Sequence, residues 1–280
     1  MTSPKLRQPT IFLPHGGGPC FFMDWTWGPA DTWNRTQTFL EGLAATLPEP
    51  PTAILVVSGH WEEPAFTASS AEHPHLIYDY SGFPEHTYRI TWPAPGAPEL
   101  ARRVTDLLTQ AGLPAATSPS RGFDHGVFVP LKVAFPEAKI PVVSLSLALR
   151  VSVNDQGAGS FDPSLHLAAG RALAPLRDEG VLIVGSGMSF HNLRAYLQPQ
   201  TLPRARQFDQ WLTSAVESPA PIRDASLQNW RDALFAEFSH PREEHLIPLM
   251  VVAGAGGEAP GQRIFTDEPM GAAISAYRFD

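Results

Sequence analysis

The chain of 280 residues is long enough for one large α/β domain or two smaller ones, and 43% of its residues are hydrophobic, as in ordinary globular proteins. Its formal net charge is −8 and no basic block stands out, so we expect no nucleic-acid partner. The sequence has a single cysteine, Cys20, and lacks both a run of roughly 18 apolar residues and a secretory signal, so we expect a cytoplasmic protein without a membrane helix or an internal disulfide.

Short apolar runs predict the buried strands of a sheet. They are rich in β-branched residues, are bounded by proline or glycine, and cover about residues 10–14, 53–59, 141–147 and 180–186. Continuous apolarity without alternation is typical of strands that are covered on both faces. The final stretch, 271–279, predicts an edge strand.

Segments with helical periodicity alternate with these runs. Residues 97–112 carry apolar side chains on one face and end at a glycine, whereas residues 162–180 begin with Asp162 followed by proline, a typical helix start. Further helices are predicted at about 203–217, 223–237 and 242–253. Strands that alternate with helices predict an α/β fold around a central sheet.

Residues 60–95 are predicted to form a long loop region. This stretch has no helical period and is rich in aromatic residues and proline, and only residues near 87–92 resemble a strand. Loops of this kind often carry the functional residues of a protein.

Three of the predicted strands lead into turns that contain both glycine and histidine. His15 and His60 directly follow their strands, and His191 comes a few residues after its own. Ligands of α/β proteins bind beyond the carboxyl ends of the strands, so the three imidazoles converge if these strands are parallel neighbours. We therefore favour a metal site or an acid–base site at this edge of the sheet.

Simpler interpretations exist for several of these residues. The "HGGGP" turn could be a phosphate loop, but it lacks the lysine and the glycine spacing of known examples. Ser186 lies between two glycines, but a hydrolase nucleophile elbow requires Gly-x-Ser-x-Gly. Taken alone, His245 would be a helix-surface histidine in the first or second turn of 242–253, His166 another surface residue, and His125 a polar residue lining a site.

Six motifs, taken together, resemble a known enzyme family. In order and spacing, "IFLPHGGGP", "VVSGHW", "YDYSGFPEHTY", "GFDHGVFVPL", "GSGMSFHNL" and "REEHLIPL" are similar to the class III extradiol ring-cleavage dioxygenases, in particular to their 4,5-DOPA dioxygenase-like branch. The resemblance runs from about residue 10 to 275. It implies a single catalytic domain over 1–280, with a central mixed sheet flanked by helices as in the catalytic subunits of that family.

The resemblance implies a metal site made of histidines. The family's metal ligands fall on His15, His60 and His245, and its acid–base histidine, sometimes counted as a further ligand, falls on His191. In the related protocatechuate enzyme the last ligand is a glutamate; here that position is His245, with Glu243 and Glu244 directly before it. The implied site holds one divalent ion per chain, Fe(II) for ring cleavage, with Zn(II) as an alternative because imidazole binds both metals.

The resemblance also implies a substrate pocket. His125 falls on a histidine that contacts the substrate and takes part in catalysis, and the expected pocket walls are Trp61, Tyr78, Phe83 and Pro84. The implied activity is a metal-dependent dioxygenase that opens a catechol ring with O₂, with a small catechol-type aromatic and O₂ as its partners. Two alternatives stay open: a zinc-dependent hydrolase, and a non-catalytic, Memo-like metal-binding relative. Whether the chain forms a homo-oligomer is also open.

Overall fold

A mixed sheet forms the centre of the protein in a computed structural model that describes residues 6–150 and 159–280. Within these ranges the sheet has nine strands, which are β1 (Thr10–Pro14), β2 (Ala53–Glu63), β3 (Phe66–Ser69), β4 (Ala115–Ser118), β5 (Val142–Arg150), β6 (Ser160–Phe161), β7 (Val181–Gly187), β8 (Gln262–Asp267) and β9 (Ile274–Phe279).

The strand order places four parallel strands in the middle of the sheet. The order is β4-β3-β5-β2-β7-β1-β9-β8, and the short β6 pairs with β5. Strands β5, β2, β7 and β1 are parallel neighbours, whereas β9 runs antiparallel to β1 and β3 runs antiparallel to β5. The carboxyl ends of β1, β7 and β2 therefore lie side by side at one edge, as the histidine-bearing turns predicted.

Helices cover both faces of this sheet. They are α1 (Asn34–Gly42), α2 (Pro98–Gln110), α3 (His125–Ala134), α4 (Pro163–Leu173), α5 (Pro175–Asp178), α6 (Thr201–Val216), α7 (Ala220–Gln228), α8 (Ala236–Ser239) and α9 (Ile247–Gly256). Short 3₁₀ turns lie at Cys20–Phe22, Leu43–Thr46, Glu85–Arg89, Trp230–Asp232 and Pro269–Gly271. In the described part of the chain, no helix is long and apolar enough to span a bilayer.

The core lies on the two sides of the sheet. Along β2, Leu55 and Val57 pack into the cluster that contains α9, whereas Ile54 and Val56 pack into the cluster that contains α3. Alternate side chains of a strand point to opposite faces, so a strand buried on both sides must be apolar at every position. The predicted fold class, a single-domain α/β fold with a mixed central sheet flanked by helices, is confirmed.

Three predicted elements near the C-terminus differ from the structure. The strand at 274–279 is not an edge strand, because β8 pairs with it; β8 was missed in the sequence because four of its six residues, in QRIFTD, are polar. The helix predicted over 223–237 ends at Gln228, and a left-handed residue, Phe235, interrupts the rest. The last helix begins only at Ile247, with Pro248 in its first turn, so His245 precedes the helix.

The predicted strand at 87–92 is absent from the described residues, which form a 3₁₀ turn at Glu85–Arg89 instead. Two tyrosine side chains hold this turn: the Tyr78 hydroxyl donates to the Ile90 carbonyl, and the Tyr80 hydroxyl donates to the Thr87 carbonyl, each at 2.6 Å. Because these two carbonyls accept hydrogen bonds from hydroxyl groups, they do not need hydrogen bonds from a neighbouring strand. The strand of this region is β3, which the sequence analysis missed.

The prediction that His166 lies on a helix surface is wrong, because its side chain is fully buried. The imidazole Nδ1–H donates to the Asp162 carbonyl at 2.8 Å, and Nε2 accepts from the Ala148 N–H at 3.2 Å. Asp162 also caps α4 as expected, accepting from the Ser164 and Leu165 N–H groups. Burial lowers the pKa of His166 to about 4, so the imidazole is neutral at pH 7.

Acid should therefore destabilise the protein through His166. The unfolded chain binds this proton near the usual pKa of 6.5 and the folded chain only near 4, so stability is lost as the pH falls between these values. This difference in pKa lowers the free energy of unfolding by about 3 kcal/mol at pH 4. Urea unfolding at pH 7 and pH 4 should show that the free energy of unfolding falls less in His166→Gln than in the wild type. An equal loss in both proteins would contradict the prediction, and His86→Gln, at an exposed position, is the control.

Candidate metal centre

Two of the predicted site histidines lie at the carboxyl ends of the two strands that flank β7. His15 directly follows β1, where its N–H donates to the Gly187 carbonyl at the end of β7, and His60 lies near the end of β2. Because β7 pairs with both β1 and β2, the two imidazoles meet above its last residue. Their Nε2 atoms are 3.2 Å apart.

His245 reaches the same point from the loop before α9. Its carbonyl accepts from the Met188 N–H at 3.0 Å, which holds the loop against the end of β7. Glycine is required on the sheet side of this contact: a Cβ at Gly187 would lie 2.2 Å from the His245 carbonyl oxygen, and one at Gly59 would lie 3.1 Å from that of Glu244. This close approach leaves the His245 Nε2 atom 3.1 Å from the His60 Nε2 atom.

The spacing of the three Nε2 atoms suits a single cation. Ligand nitrogens at about 2.0–2.1 Å from a tetrahedral zinc ion are roughly 3.3 Å apart. The observed separations of 3.1 and 3.2 Å are close to this value, and the three residues form a group able to hold a metal ion. Imidazole nitrogen is a suitable donor for Zn, Fe, Cu and Ni alike, so the donor set does not distinguish these metals.

The other ring nitrogen of each histidine faces an acceptor. His15 Nδ1 lies 2.9 Å from the Gly16 carbonyl, His245 Nδ1 lies 2.8 Å from Glu244 Oε1, and His60 Nδ1 lies 3.6 Å from Asp79 Oδ2. Such partners favour the tautomer with the proton on Nδ1, which leaves the Nε2 lone pair for a metal.

Burial keeps these imidazoles neutral. It lowers the pKa values of His15, His60 and His245 well below 6.5, and the neighbouring imidazoles lower them further. Neutral imidazole is the form that binds metals.

Two carboxylates, Asp79 and Glu244, lie next to the three imidazoles. Burial alone would raise the pKa of Asp79, but its hydrogen bond with His125 and the neighbouring imidazoles lower it to about 2. Glu244 contacts His245, whereas Glu243 points away and accepts from the Phe161 N–H and from Arg231. The sequence motif alone did not distinguish the two glutamates. It also did not reveal Asp79, which lies within the predicted loop region 60–95.

His125 and His191 lie beside the three-histidine group without belonging to it. His125 begins α3, and its Nδ1 contacts Asp79 Oδ1 at 2.8 Å. The ring of His191 stacks on that of His245, with centroids 3.4 Å apart, and its Nδ1 lies 3.2 Å from Glu244 Oε1. All five histidines predicted for the site are thus gathered in one place.

A cavity of about 540 Å³ opens at this place, and His15, His60, His125 and His191 line it, whereas His245 does not. Of the predicted wall residues, Phe83 lines it, whereas Trp61, Tyr78 and Pro84 do not. Trp61 lines a neighbouring cavity, where the Arg121 guanidinium lies 4.8 Å from its ring centroid, because adjacent residues of a strand point to opposite sides. Tyr78 holds the loop through its bond to Ile90.

The sequence analysis missed most of the aromatic wall. This wall includes Trp25, Trp27, Trp33, Tyr80 and Tyr196. The three tryptophans come from a segment between β1 and α1 that has no periodic pattern, so only the density of tryptophan in "MDWTWGPADTW" could have indicated it. Ser186 is not part of the wall: it is buried, and its hydroxyl donates to the Gly126 carbonyl.

Gly187→Ala should disturb both the fold and the site. The new Cβ would meet the backbone at His245, so the loop or β7 must shift, and overpacking of this kind costs about 3 kcal/mol. We expect a lower free energy of unfolding in urea, together with weaker zinc binding by calorimetry. The matched control is Gly42→Ala, whose Cβ meets nothing within 4 Å. Unchanged zinc affinity in Gly187→Ala would contradict this account of the loop.

The fold and the clustered histidines define an α/β protein with a candidate metal centre beneath an aromatic cavity. Residues 9–279 match the family described as the catalytic LigB subunit of aromatic ring-opening dioxygenase, and the chain belongs to this family. It is therefore a member of a family of oxygenase enzymes that use a metal, an aromatic substrate and O₂.

Individual relatives agree with this assignment. The chain is 36% identical to dioxygenase tasH of Hapsidospora irregularis, over 96% of this chain and 84% of the relative. It is 37% identical to the 4,5-DOPA dioxygenase extradiol of Beta vulgaris, over 89% of this chain and 87% of the relative. The crystal structure of an uncharacterized Escherichia coli K12 protein is similar with a TM-score of 0.75 and 30% identity, covering 98% of this chain and 100% of that one.

Proposed function

We propose that this chain is a metal-dependent extradiol dioxygenase that opens the ring of a catechol with O₂. The observation that carries the proposal is the convergence of three imidazole Nε2 atoms, 3.1 and 3.2 Å apart, below a cavity with aromatic walls. The catalytic domain would be the whole chain, 1–280, with its motif-bearing core at about 10–275.

His15, His60 and His245 would hold one divalent ion. A redox-active ion such as Fe(II), when bound, supplies a centre that both catechol oxygens and O₂ can share, and it lowers the pKa of the catechol hydroxyls. Zn(II) fits the same nitrogens but lacks redox chemistry. Asp79 and Glu244 would orient the imidazole rings of His60 and His245 and would offset the positive charge of the ion without binding it directly.

His191 would act as the acid–base residue. Its Nδ1 faces the Glu244 carboxylate, which favours the tautomer with a free Nε2 lone pair. A free imidazole nitrogen can take a proton from a catechol hydroxyl and return it when the ring opens, since imidazole exchanges protons near neutral pH. The stack on His245 holds the His191 ring beside one of the histidines that would bind the ion.

His125 would bind a substrate oxygen. Asp79 contacts both its backbone N–H, at 2.9 Å, and its Nδ1, at 2.8 Å, so the ring is held in one orientation. This leaves Nε2 for a substrate hydroxyl or for an oxygen anion that develops during the reaction. Phe83 and Tyr80 would pack against the catechol ring and exclude water.

Oxygen consumption by the reconstituted protein tests this function. Metal-free protein is loaded anaerobically with Fe(II), and a panel of catechols is screened with an oxygen electrode, with zinc-loaded protein as the control. With ¹⁸O₂, we expect both atoms of one O₂ in each ring-opened product. Ester hydrolysis by the zinc form, without oxygen uptake by the iron form, would replace the proposal by the hydrolase alternative. Metal binding without either reaction would favour the non-catalytic alternative.

A further inference from the structure

The mouth of the cavity is unusually apolar for an exposed surface. Trp27, Leu193 and Leu197 line it, although 50%, 72% and 58% of their surfaces face solvent. Exposed large apolar side chains that cluster around a cavity indicate a surface that an apolar ligand covers. The exposed Ile222 and Leu234, in contrast, are not among the lining residues.

Backbone conformation supports this arrangement of the mouth. Leu197 and Met270 both line the cavity and both have left-handed φ angles, of 64° and 53°. The Leu197 N–H donates to the Met270 carbonyl at 2.9 Å, which ties the two residues together. Large side chains adopt this conformation rarely, and such residues persist where the surrounding structure holds them at functional positions.

The cavity offers no positive side chain to an anionic substituent. Among the residues that the structure describes, neither lysine nor arginine lines it, and its carboxylate, Asp79, is negative. Arg121 is committed elsewhere, since its guanidinium donates to the buried Asp124 carboxylate at 2.8 Å and lies over Trp61. Arg194 is exposed on the segment that carries Leu193, but it does not line the cavity.

The cavity is also larger than one aromatic ring requires. An apolar cavity of about 150 Å³ can already hold benzene. The volume of about 540 Å³ leaves room beside the ring for a substituent of similar size. Trp27 contacts Phe83 with ring centroids 5.2 Å apart, so both aromatic side chains can pack against that substituent.

We propose that the substrate is a catechol with an uncharged apolar substituent, such as a second aromatic ring or a branched alkyl group, and that catechols with a carboxylate on this substituent are poor substrates. The proposal rests on the proposed function for the ring-opening step. The choice of substituent depends only on the cavity mouth formed by Trp27, Leu193, Leu197 and Met270.

Binding to the metal-free protein tests the choice of substituent independently of turnover. The probes are 4-phenylphenol and 4-hydroxybenzoate, which have one hydroxyl and differ in an apolar or a carboxylate substituent. By calorimetry we expect 4-phenylphenol to bind at least about tenfold more tightly, as expected for extra apolar contact in a pocket. Trp27→Ala should remove most of this preference, and Ile222→Ala, a matched exposed position, should retain it. Equal or tighter binding of 4-hydroxybenzoate would overturn the proposal.

Turnover by the iron-loaded protein provides the second test. We expect kcat/KM for 4-phenylcatechol to exceed that for protocatechuate at least about tenfold, with the difference reduced in Leu193→Ala. A preference for protocatechuate that Arg194→Gln removes would overturn the proposal while the dioxygenase function stands. If no catechol causes oxygen uptake but 4-phenylphenol binds as predicted, the dioxygenase function fails and the apolar specificity of the cavity stands.

Discussion

His60→Ala should remove the bound metal and with it all turnover. The His60 Nε2 atom lies 3.2 Å from that of His15 and 3.1 Å from that of His245, so its loss leaves only two imidazole donors for one cation. Loss of an outer-shell partner alone lowers metal affinity by about 10–100-fold, and a direct ligand should cost more than about 100-fold. Zinc affinity by competition with a chelator, and metal content after reconstitution, measure the effect.

A second histidine variant provides the control for this result. His73→Ala changes an exposed loop histidine and should leave the metal content unchanged. Circular dichroism of both metal-free proteins checks that the fold is intact. If folded His60→Ala retains one tightly bound ion per chain, the three-histidine site is incorrect.

His191→Ala should reduce turnover by about 10²–10⁴-fold and leave one metal ion in place, because general acid–base groups contribute about this much to rates. Its Nδ1 is directed at Glu244, and the three-histidine group forms without it. Single-turnover rates of the iron-loaded variant, together with its metal content, separate the two effects. Loss of metal together with turnover would instead make His191 a fourth ligand.

His191→Phe separates proton transfer from ring stacking. Phenylalanine can preserve the stack on His245, in which the ring centroids are 3.4 Å apart, but it cannot accept a proton. We expect His191→Phe to be as slow as His191→Ala. Near-normal turnover in His191→Phe would show that the ring acts by holding His245 in place.

The sequence was sufficient to predict the four parallel strands at the centre of the sheet and two of the candidate ligands. Buried parallel strands appear as continuous apolar runs, and the ends of such strands lie at a common edge, so His15 and His60 were predictable from local pattern. β8 was not predictable, because most of its residues are polar and partly exposed, so it forms no continuous apolar run. The position of His245 was predicted from family resemblance, but its place before α9 depends on Pro248 and on contact with Gly187.

The surroundings of the candidate ligands were harder to predict. Asp79 and Glu244 face the Nδ1 atoms of His60 and His245, and such contacts depend on the path of two loops that have no periodic pattern. The predicted wall residue Trp61 follows His60 directly on β2 and lines a neighbouring cavity, because adjacent residues of a strand point to opposite sides.

The most direct test of the central claim is the anaerobic binding of a catechol to zinc-loaded and metal-free protein, measured by calorimetry. If the three imidazoles hold one ion that remains open to the cavity, catechol and metal each strengthen the binding of the other to the same extent. We expect one zinc ion per chain and catechol binding at least about 100-fold tighter in the loaded protein. Equal catechol affinity in the two forms would contradict the account.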